Sequence, residues 1–222
     1  MINLNRKALY VAVLLAHFSC LQPEESKNNN QNINILSQNE TQIGTQIWDR
    51  NNLNVDTFQN GDLIPEARTE SEWASLNNNG KPAWCYYNNV KRNGEKYGKL
   101  YNWYAVNDSR GLAPEGWHIP SDEEWTILIE RLGCEHIDGS NMGLFHRWQL
   151  VKNGNNNIGF WGLPGGYRSF SGSFHNIGKN SYWWSSSDYI DTNAWGYELY
   201  SDTVYRGYPN KKGALSVRCI KD

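Results

Sequence analysis

The sequence predicts an α+β domain with short antiparallel strands, one or two short helices and long loops. The 222-residue chain contains 11 Trp, 13 Tyr and 6 Phe, so flat rings must supply most of its apolar packing. Its 20 Gly and 7 Pro indicate many turns, which suit short strands better than a helical bundle. Aromatic runs that alternate with polar residues between these turns are typical of antiparallel strands. The length accommodates one such domain.

The N-terminus predicts export rather than folded structure. Arg6 and Lys7 precede an apolar run at residues 8–16, which is shorter than the roughly 20 residues of a membrane span. This is the pattern of a secretory signal, and we assign residues 1–19 to a signal peptide.

Cys20 follows a small residue at the end of that signal. The arrangement resembles a bacterial lipobox, in which the thiol is acylated and becomes the new N-terminus, so we expect Cys20 to carry lipid. The alternative is a simple signal peptide in which Cys20 has no role. Glu24 and Glu25 resemble surface-export signals of Bacteroidota lipoproteins, which predicts a lipid-anchored protein at the outer membrane or cell surface.

The segment after Cys20 predicts a flexible tether. Up to residue 42 it is polar and rich in Asn, with too few bulky apolar residues to offset the entropy lost on ordering. We therefore assign residues 20–42 to a lipidated N-terminus and disordered tether, and residues 43–222 to the domain.

Two helices have clear start signals. Thr69 with Glu72 three residues later forms a capping-box pattern for a short helix over residues 69–76. Ser121 with Glu124 does the same for residues 122–132, where the apolar residues Trp125, Leu128, Ile129 and Leu132 recur at helical spacing. Strands are predicted at residues 45–49, 52–55, 83–87, 100–106, 182–187, 194–200 and 215–220, with turns at Asn60-Gly61 and Asn93-Gly94.

Composition and motif searches exclude several function classes. A formal net charge of -2 gives no field that favours nucleic acid or an anionic membrane surface. The histidines, His118, His136, His146 and His175, lack metal-binding spacing, and the serines at 185–187 lack a G-x-S-x-G elbow. We predict no metal, no cofactor and no catalytic residue. An irregular calcium site built from Asp188, Asp191, Glu198 or Asp202 is the alternative that remains.

The indoles have two interpretations. Trp103, Trp117, Trp125, Trp161, Trp183 and Trp184 stand at positions expected of a core. The segment 189–209 instead interleaves rings with polar groups, a mixture suited to stacking on sugars or contacting a protein. Its candidate ligand patch is Tyr189, Trp195, Tyr197, Tyr200, Tyr205 and Arg206, with Tyr208 beside it.

Seven motifs together resemble the Fibrobacter succinogenes major paralogous domain, a family of bacterial exported proteins. They are IWDRNNLNV (47–55), AWCYYNN (83–89), YGKLYNWYAV (97–106), GLAPEGWHIPSDEEW (111–125), GFWGLPGGYRS (159–169), YWWSSS (182–187) and SVRCIKD (216–222). The family is grouped with C-type-lectin-like and sulfatase-modifying-factor-like folds. The resemblance therefore implies a C-type-lectin-like mixed domain with paired N- and C-terminal strands.

The same resemblance suggests a disulfide. In C-type-lectin-like folds a cysteine after the first helix bonds one in the last strand, which implies a Cys85–Cys219 disulfide. Cys134 with Cys219 is the rival pairing. The chain lacks the EPN, QPD and WND tripeptides that hold calcium in sugar-binding relatives of that fold.

These features favour a non-catalytic surface module whose ligand is a carbohydrate or a protein, and whose membrane contact is the lipid anchor alone. Fold does not carry function, so two alternatives stay open. One is an oxidase or other enzyme related to formylglycine-generating factors, although the three cysteines of the domain are not clustered. The other is a structural envelope protein without a small ligand.

Overall fold

A computed structural model describes residues 36–132, 135–136, 144–146, 160, 162–200 and 203–222. Within these ranges the helices are α1 (Glu70–Asn78), α2 (Lys91–Tyr97), α3 (Trp103–Val106) and α4 (Asp122–Arg131), with a 3-10 helix at Tyr87–Asn89. The strands are β1 (Glu40–Ile43), β2 (Gln46–Asp49), β3 (Trp84–Cys85), β4 (Leu100–Asn102), β5 (Trp117–His118), β6 (Glu135–His136), β7 (Leu144–His146), β8 (Tyr167–Arg168), β9 (Phe174–His175), β10 (Asn180–Ile190), β11 (Asn193–Tyr200), β12 (Thr203–Gly207), β13 (Ala214–Leu215) and β14 (Ile220–Lys221). The α+β class is confirmed. In the described part of the chain, none of the helices has the length and apolarity needed to cross a membrane.

The strands form three antiparallel sheets. Their orders are β1-β2-β14-β5, β10-β11-β12-β7-β6 and β3-β4-β13-β8-β9. The long strands β10 and β11 pair from Asn180 opposite Tyr200 down to Ile190 opposite Asn193. The predicted strands at 182–187 and 194–200 are thereby confirmed as the two arms of one hairpin.

The last strand of the domain pairs with β2 of the N-terminal hairpin, as the family resemblance implies. Ile220 of β14 lies opposite Trp48 of β2, and on its other side it pairs with His118 of β5. The domain also begins earlier than predicted. Residues 40–42, assigned to the tether, form β1 together with Ile43, because Thr41 and Ile43 alternate into the interior with about 5% exposure each and pairing with β2 satisfies their backbone groups.

The two predicted helices are confirmed together with their caps. Thr69 accepts from the Glu72 backbone N–H, and the Glu72 carboxylate accepts from the Thr69 N–H. Ser121 and Glu124 make the same reciprocal pair at α4. Satisfying orphan donors in this way fixes where a helix begins.

Helix α2 replaces the predicted turn at Asn93-Gly94. Gly94 lies inside the helix because the Tyr86 ring packs against its Cα, where an added Cβ would be 2.0 Å from Tyr86 Cε1. The helix ends at Gly98, which has a φ of 77°. Gly94 thus allows the Tyr86 ring to pack closely against the helix, whereas Gly98 ends the helix with a positive φ that favours glycine.

Helix α3 replaces the second half of the strand predicted at 100–106. The chain leaves β4 at Asn102, whose buried side chain accepts from the backbone N–H of Ala105 and caps the helix. The same Asn102 oxygen accepts from the Ala83 N–H. A capping residue that is fixed by tertiary contacts therefore overrides the strand preference of the aromatic run.

The core is built mainly from aromatic rings. Of the predicted core indoles, Trp103, Trp125, Trp183 and Trp184 are each at most 4% exposed, which confirms them. Trp117 is only partly buried against the core, and Trp161 lies outside the described residues. One cluster joins Trp48, Trp125, Phe160, Trp183 and Tyr197, with ring centroids 5.0–6.1 Å apart.

The Arg218 guanidinium is fully buried within this aromatic interior. Asn52 Oδ1 accepts from Arg218 Nη2 at 2.9 Å and from the Trp183 indole N–H at 2.9 Å. The Asp49 carbonyl oxygen accepts from Arg218 Nη1 at 3.0 Å. Burial lowers the pKa of Arg218 to about 10, so the side chain stays charged at neutral pH and requires these acceptors.

A histidine joins the C-terminus to the start of α4. His118 Nε2 lies 2.8 Å from Glu124 Oε1, and His118 Nδ1 lies 2.7 Å from Asp222 Oδ1. Partial burial opposes the charged imidazole, but these two carboxylates outweigh it, and the pKa of His118 is raised. Protonation therefore strengthens the contact between the end of the chain and the helix.

Replacing Asn52 by Ala should destabilise the protein by about 3 kcal/mol, because a buried guanidinium and a buried indole N–H lose their shared acceptor. Chemical denaturation measures the change. The control is Asn51→Ala, since the neighbouring Asn51 side chain is exposed, and we expect it to stay within about 0.5 kcal/mol of the wild type. Equal stability of the two variants would contradict a role for Asn52 in holding Arg218.

The His118 contacts predict a pH-dependent stability with a defined sign. Because the folded-state pKa is raised, the stabilisation is fully present below the unfolded value of about 6.5 and is lost as pH rises through the folded value. The unfolding free-energy difference between wild type and His118→Gln should therefore shrink as pH rises from about 6 to about 9. His175→Gln is the control, because the His175 ring stacks on Tyr167 rather than meeting a carboxylate. If the difference in unfolding free energy between wild type and His118→Gln did not change with pH, the proposed contacts of protonated His118 with Glu124 and Asp222 would be contradicted.

Candidate functional site

The three strands β10, β11 and β12 have two chemically different faces. Across them Tyr182, Glu198 and Tyr205 lie in one row, and Trp183, Tyr197 and Arg206 lie in the adjacent row. Since neighbouring rows of a sheet project to opposite faces, Glu198 and Tyr205 share one face while Tyr197 and Arg206 share the other.

The Glu198 face carries a cavity of about 370 Å³. We call it the tyrosine groove, and its lining residues are Tyr167, Tyr182, Gly196, Tyr197, Glu198, Tyr205, Gly207, Tyr208, Pro209 and Leu215. Phenol rings surround a single carboxylate. Such a combination of apolar walls and few polar groups is typical of small-ligand sites, which occupy about 300–1,000 Å³.

Two opposed glycines lie in the floor of this groove, and one of them leaves open space. Gly196 of β11 pairs with Gly207 of β12. A Cβ added at Gly196 would lie 3.0 Å from Pro209 Cγ, so the proline packs directly on that backbone. A Cβ added at Gly207 would meet nothing within 4 Å. The volume above Gly207 is therefore open because the sequence places no side chain there.

Glu198 is held by neutral hydrogen-bond donors. Its Oε1 accepts from the Tyr182 hydroxyl at 2.8 Å and from Asn180 Nδ2 at 2.6 Å. Asn176 Nδ2 in turn donates to the Tyr182 hydroxyl oxygen at 2.7 Å. Burial, together with the neighbouring carboxylate, raises the pKa of Tyr182 well above its ordinary value. Tyr182 therefore remains a protonated donor that orients Glu198.

A second group of rings lies beside the groove, and we call Tyr189, Trp195 and Tyr208 the outer aromatic cluster. Tyr189 stacks on Tyr208 with centroids 4.6 Å apart and contacts Trp195 at the same distance. The Arg206 guanidinium lies 3.5 Å from the Trp195 ring centroid, and its Nε donates to Asp122 Oδ1 at 2.8 Å. Tyr208 belongs to both groups and connects them.

The structure divides the predicted ligand patch instead of uniting it. Tyr205 lines the groove, whereas Tyr189, Trp195 and Arg206 belong to or contact the outer aromatic cluster. Tyr200 is 52% exposed and is not a lining residue of the groove. Tyr197 is among the lining residues of the groove, but its side chain is 2% exposed and its ring stacks on Trp125 with centroids 5.0 Å apart.

Sequence reasoning missed most of the groove. Tyr182 stood in a run assigned to a strand, and Gly196 and Gly207 were not singled out. The available signal was a pair of glycines inside two strongly alternating strands, Gly196 and Gly207, which is a pattern of close backbone approach or open surface. Glu198 was considered only as a calcium ligand.

The calcium candidates do not form a cation cage where the structure describes them. Asp188 pairs with Lys211 Nζ at 2.7 Å, Glu198 lies in the groove, and Asp202 is outside the described residues. Over the described ranges, no group of three His, Cys, Asp or Glu side chains is arranged to hold a metal ion.

Cys85 and Cys219 are free, buried thiols, in contrast to the disulfide that the family resemblance implied. Cys85 belongs to β3 and to the cluster around Trp73. Cys219 precedes β14 and packs in a different cluster, around Trp103 and Trp184. The two thiols therefore sit in separate parts of the core. Cys20 and Cys134, which the lipid and rival disulfide predictions involve, lie outside the described residues.

Comparison with known proteins identifies one family. The model described as the Fibrobacter succinogenes major domain matches residues 41–221. No curated protein and no solved structure shows a significant match to the chain.

Proposed function

Because the chain belongs to the Fibrobacter succinogenes major domain family, we propose that it is an exported, lipid-anchored surface protein whose domain binds a carbohydrate without catalysis. The tyrosine groove is the proposed binding site. The observation that carries this proposal is the open backbone at Gly207, which faces a cavity walled by phenol rings.

The chemistry of the groove suits a sugar. A pyranose ring has an apolar face of C–H groups that stacks on aromatic rings, and its edge carries hydroxyl groups. Tyr205 and Tyr208 are 37% and 40% exposed, so their rings are accessible for such stacking. Glu198 and the phenol hydroxyls supply acceptors and donors for the sugar edge. The groove is concave, which favours a small ligand over a broad protein surface.

The cysteines support a binding role over an oxidase role. Burial raises the pKa of Cys85 and of Cys219 to about 12. Both side chains are therefore protonated at neutral pH, and neither supplies the thiolate that nucleophilic or copper chemistry requires. A copper-dependent oxidase would need an accessible, reactive pair of cysteines.

We also propose that the fold is C-type-lectin-like. The pairing of Trp48 with Ile220 joins the first and last parts of the domain, and α4 begins with a capping box. Both features are what that fold group implies, and sugar recognition is one of its functions.

Filling the groove should abolish carbohydrate binding while the fold persists. Gly207→Val places a side chain where a Cβ meets no atom within 4 Å, so we expect loss of binding with little change in unfolding midpoint. Tyr205→Ala removes a wall and should raise Kd by about tenfold or more. Full-length protein in detergent would be tested on an array of immobilised oligosaccharides, followed by calorimetry on the best binder.

Tyr200→Ala is the matched control for Tyr205→Ala. Tyr200 is a comparably exposed tyrosine that does not line the groove, and we expect its removal to leave binding unchanged. Retention of binding by Gly207→Val would show that the groove is not the site. Failure of the wild type to bind any immobilised glycan would contradict the carbohydrate proposal itself.

Lipid attachment is tested separately. Cells that express the full chain and grow on an alkyne-modified fatty acid should label the wild type, and Cys20→Ser should abolish the label because the acylated thiol is gone. Ser19→Ala keeps a small residue before Cys20 and should retain the label. A wild type without label, or a labelled Cys20→Ser variant, would refute the anchor.

A further inference from the structure

We propose that the tyrosine groove selects an amino sugar in its free, protonated form, and that Glu198 recognises its ammonium group. This inference rests on the proposed carbohydrate function and specifies the class of sugar. Nothing in the family match assigns such a ligand.

The charge of Glu198 is uncompensated where the structure describes the protein. The side chain is half-buried, and its hydrogen-bond donors, Tyr182 and Asn180, are both neutral and both contact Oε1. Among the described residues, no Lys, Arg or His forms an ion pair with this carboxylate. A half-buried carboxylate without a cation favours a positively charged ligand.

Two other carboxylates of the domain, unlike Glu198, form an ion pair with a cationic side chain. Asp122 pairs with Arg206, and Asp188 pairs with Lys211. Each of these carboxylates has its cation within the protein. Glu198 offers its second oxygen, Oε2, without a hydrogen-bond partner in the described part of the chain. An ammonium group that entered the groove would complete the coordination of this oxygen.

The walls of the groove favour the same charge. Tyr182, Tyr205 and Tyr208 surround the space beside Glu198, and the negative faces of aromatic rings attract ammonium groups within about 6 Å. Carboxylate and rings thus act together on one cation. Acetylating the ligand amine removes its charge and adds volume. An N-acetyl sugar therefore makes neither the ion pair with Glu198 nor the cation–π contact with the rings.

The polar groups of the groove distinguish a sugar from another amine, such as a lysine side chain. The hydroxyls of Tyr167, Tyr205 and Tyr208 have no hydrogen-bond partner within the described ranges, although their rings line the cavity. Several unpartnered hydroxyls around one carboxylate match a ligand that carries several hydroxyls around one amine. A lysine side chain presents the amine alone.

The test compares two oligosaccharides of equal length that differ only in acetylation. Glucosamine oligomers and N-acetylglucosamine oligomers are titrated into full-length protein by calorimetry at about pH 6, where the amine is protonated. The wild type should bind the free-amine oligomer at least about tenfold more tightly. Glu198→Gln should abolish this preference, because the amide keeps the acceptor for Tyr182 and Asn180 but has no charge.

Control variants and outcomes separate the two proposals. Glu130→Gln removes an exposed helix carboxylate and should leave the preference intact, which excludes a general charge effect. Equal binding of both oligomers by the wild type, or a preference that survives Glu198→Gln, would overturn the amino-sugar inference and leave the carbohydrate function standing. Binding of Nα-acetyl-lysine amide, which keeps its free ε-ammonium group, as tightly as the glucosamine oligomer would overturn the assignment to a sugar. Binding of neither oligomer, with another glycan bound in the same groove, would also overturn it.

Discussion

The structure depends on a charged guanidinium that is buried among aromatic rings. Arg218 has no exposed surface, and a charge in that position is tolerated only while its hydrogen bonds are complete. Asn52 supplies the central acceptor, and its Nδ2 donates to the Tyr97 carbonyl oxygen and to Ser216 Oγ. One amide thereby fixes the segment after β2, the end of α2 and the approach to β14. Since Asn52 also accepts from Trp183, the same constraint positions β10, from which the groove is built.

A second guanidinium is also buried among aromatic rings and hydrogen-bonded, in the sheet that contains β8. Arg168 lies 4.6 Å from the Trp73 ring centroid and 4.9 Å from that of Phe174. Its nitrogens donate to the carbonyl oxygens of Gly172, Ala67 and Thr69, the last of which caps α1. Ring faces accommodate a guanidinium better than aliphatic side chains do. The abundance of Trp and Tyr is therefore linked to the buried cations as well as to volume.

Local signals explain what could be predicted from sequence. The capped helices at Thr69 and Ser121, and the alternating strands β10 and β11, depend on residues close together in the chain. Helix α2 could not be predicted in this way, because Gly94 is helical through contact with Tyr86. The position of the Tyr197 side chain could not be predicted for a related reason. Alternation along β11 shows that neighbouring residues face opposite ways, but not which face α4 covers, and so Tyr197 was assigned to the surface although it packs on Trp125.

The face of β11 and β12 that packs against α4 explains why the opposite face of these strands can hold a preformed groove. Gly196 and Gly207 deprive two paired strands of side-chain packing, which weakens a sheet. On the other face Tyr197 donates to Asp122 Oδ1 at 2.7 Å, and Arg206 pairs with the same carboxylate. These contacts tie β11 and β12 to the first turn of α4, so the strands are held from the core side as well as by the Tyr182–Glu198 hydrogen bond within the groove. A ligand entering the groove therefore meets oriented rings and an oriented carboxylate, and little of its binding energy is spent on ordering them.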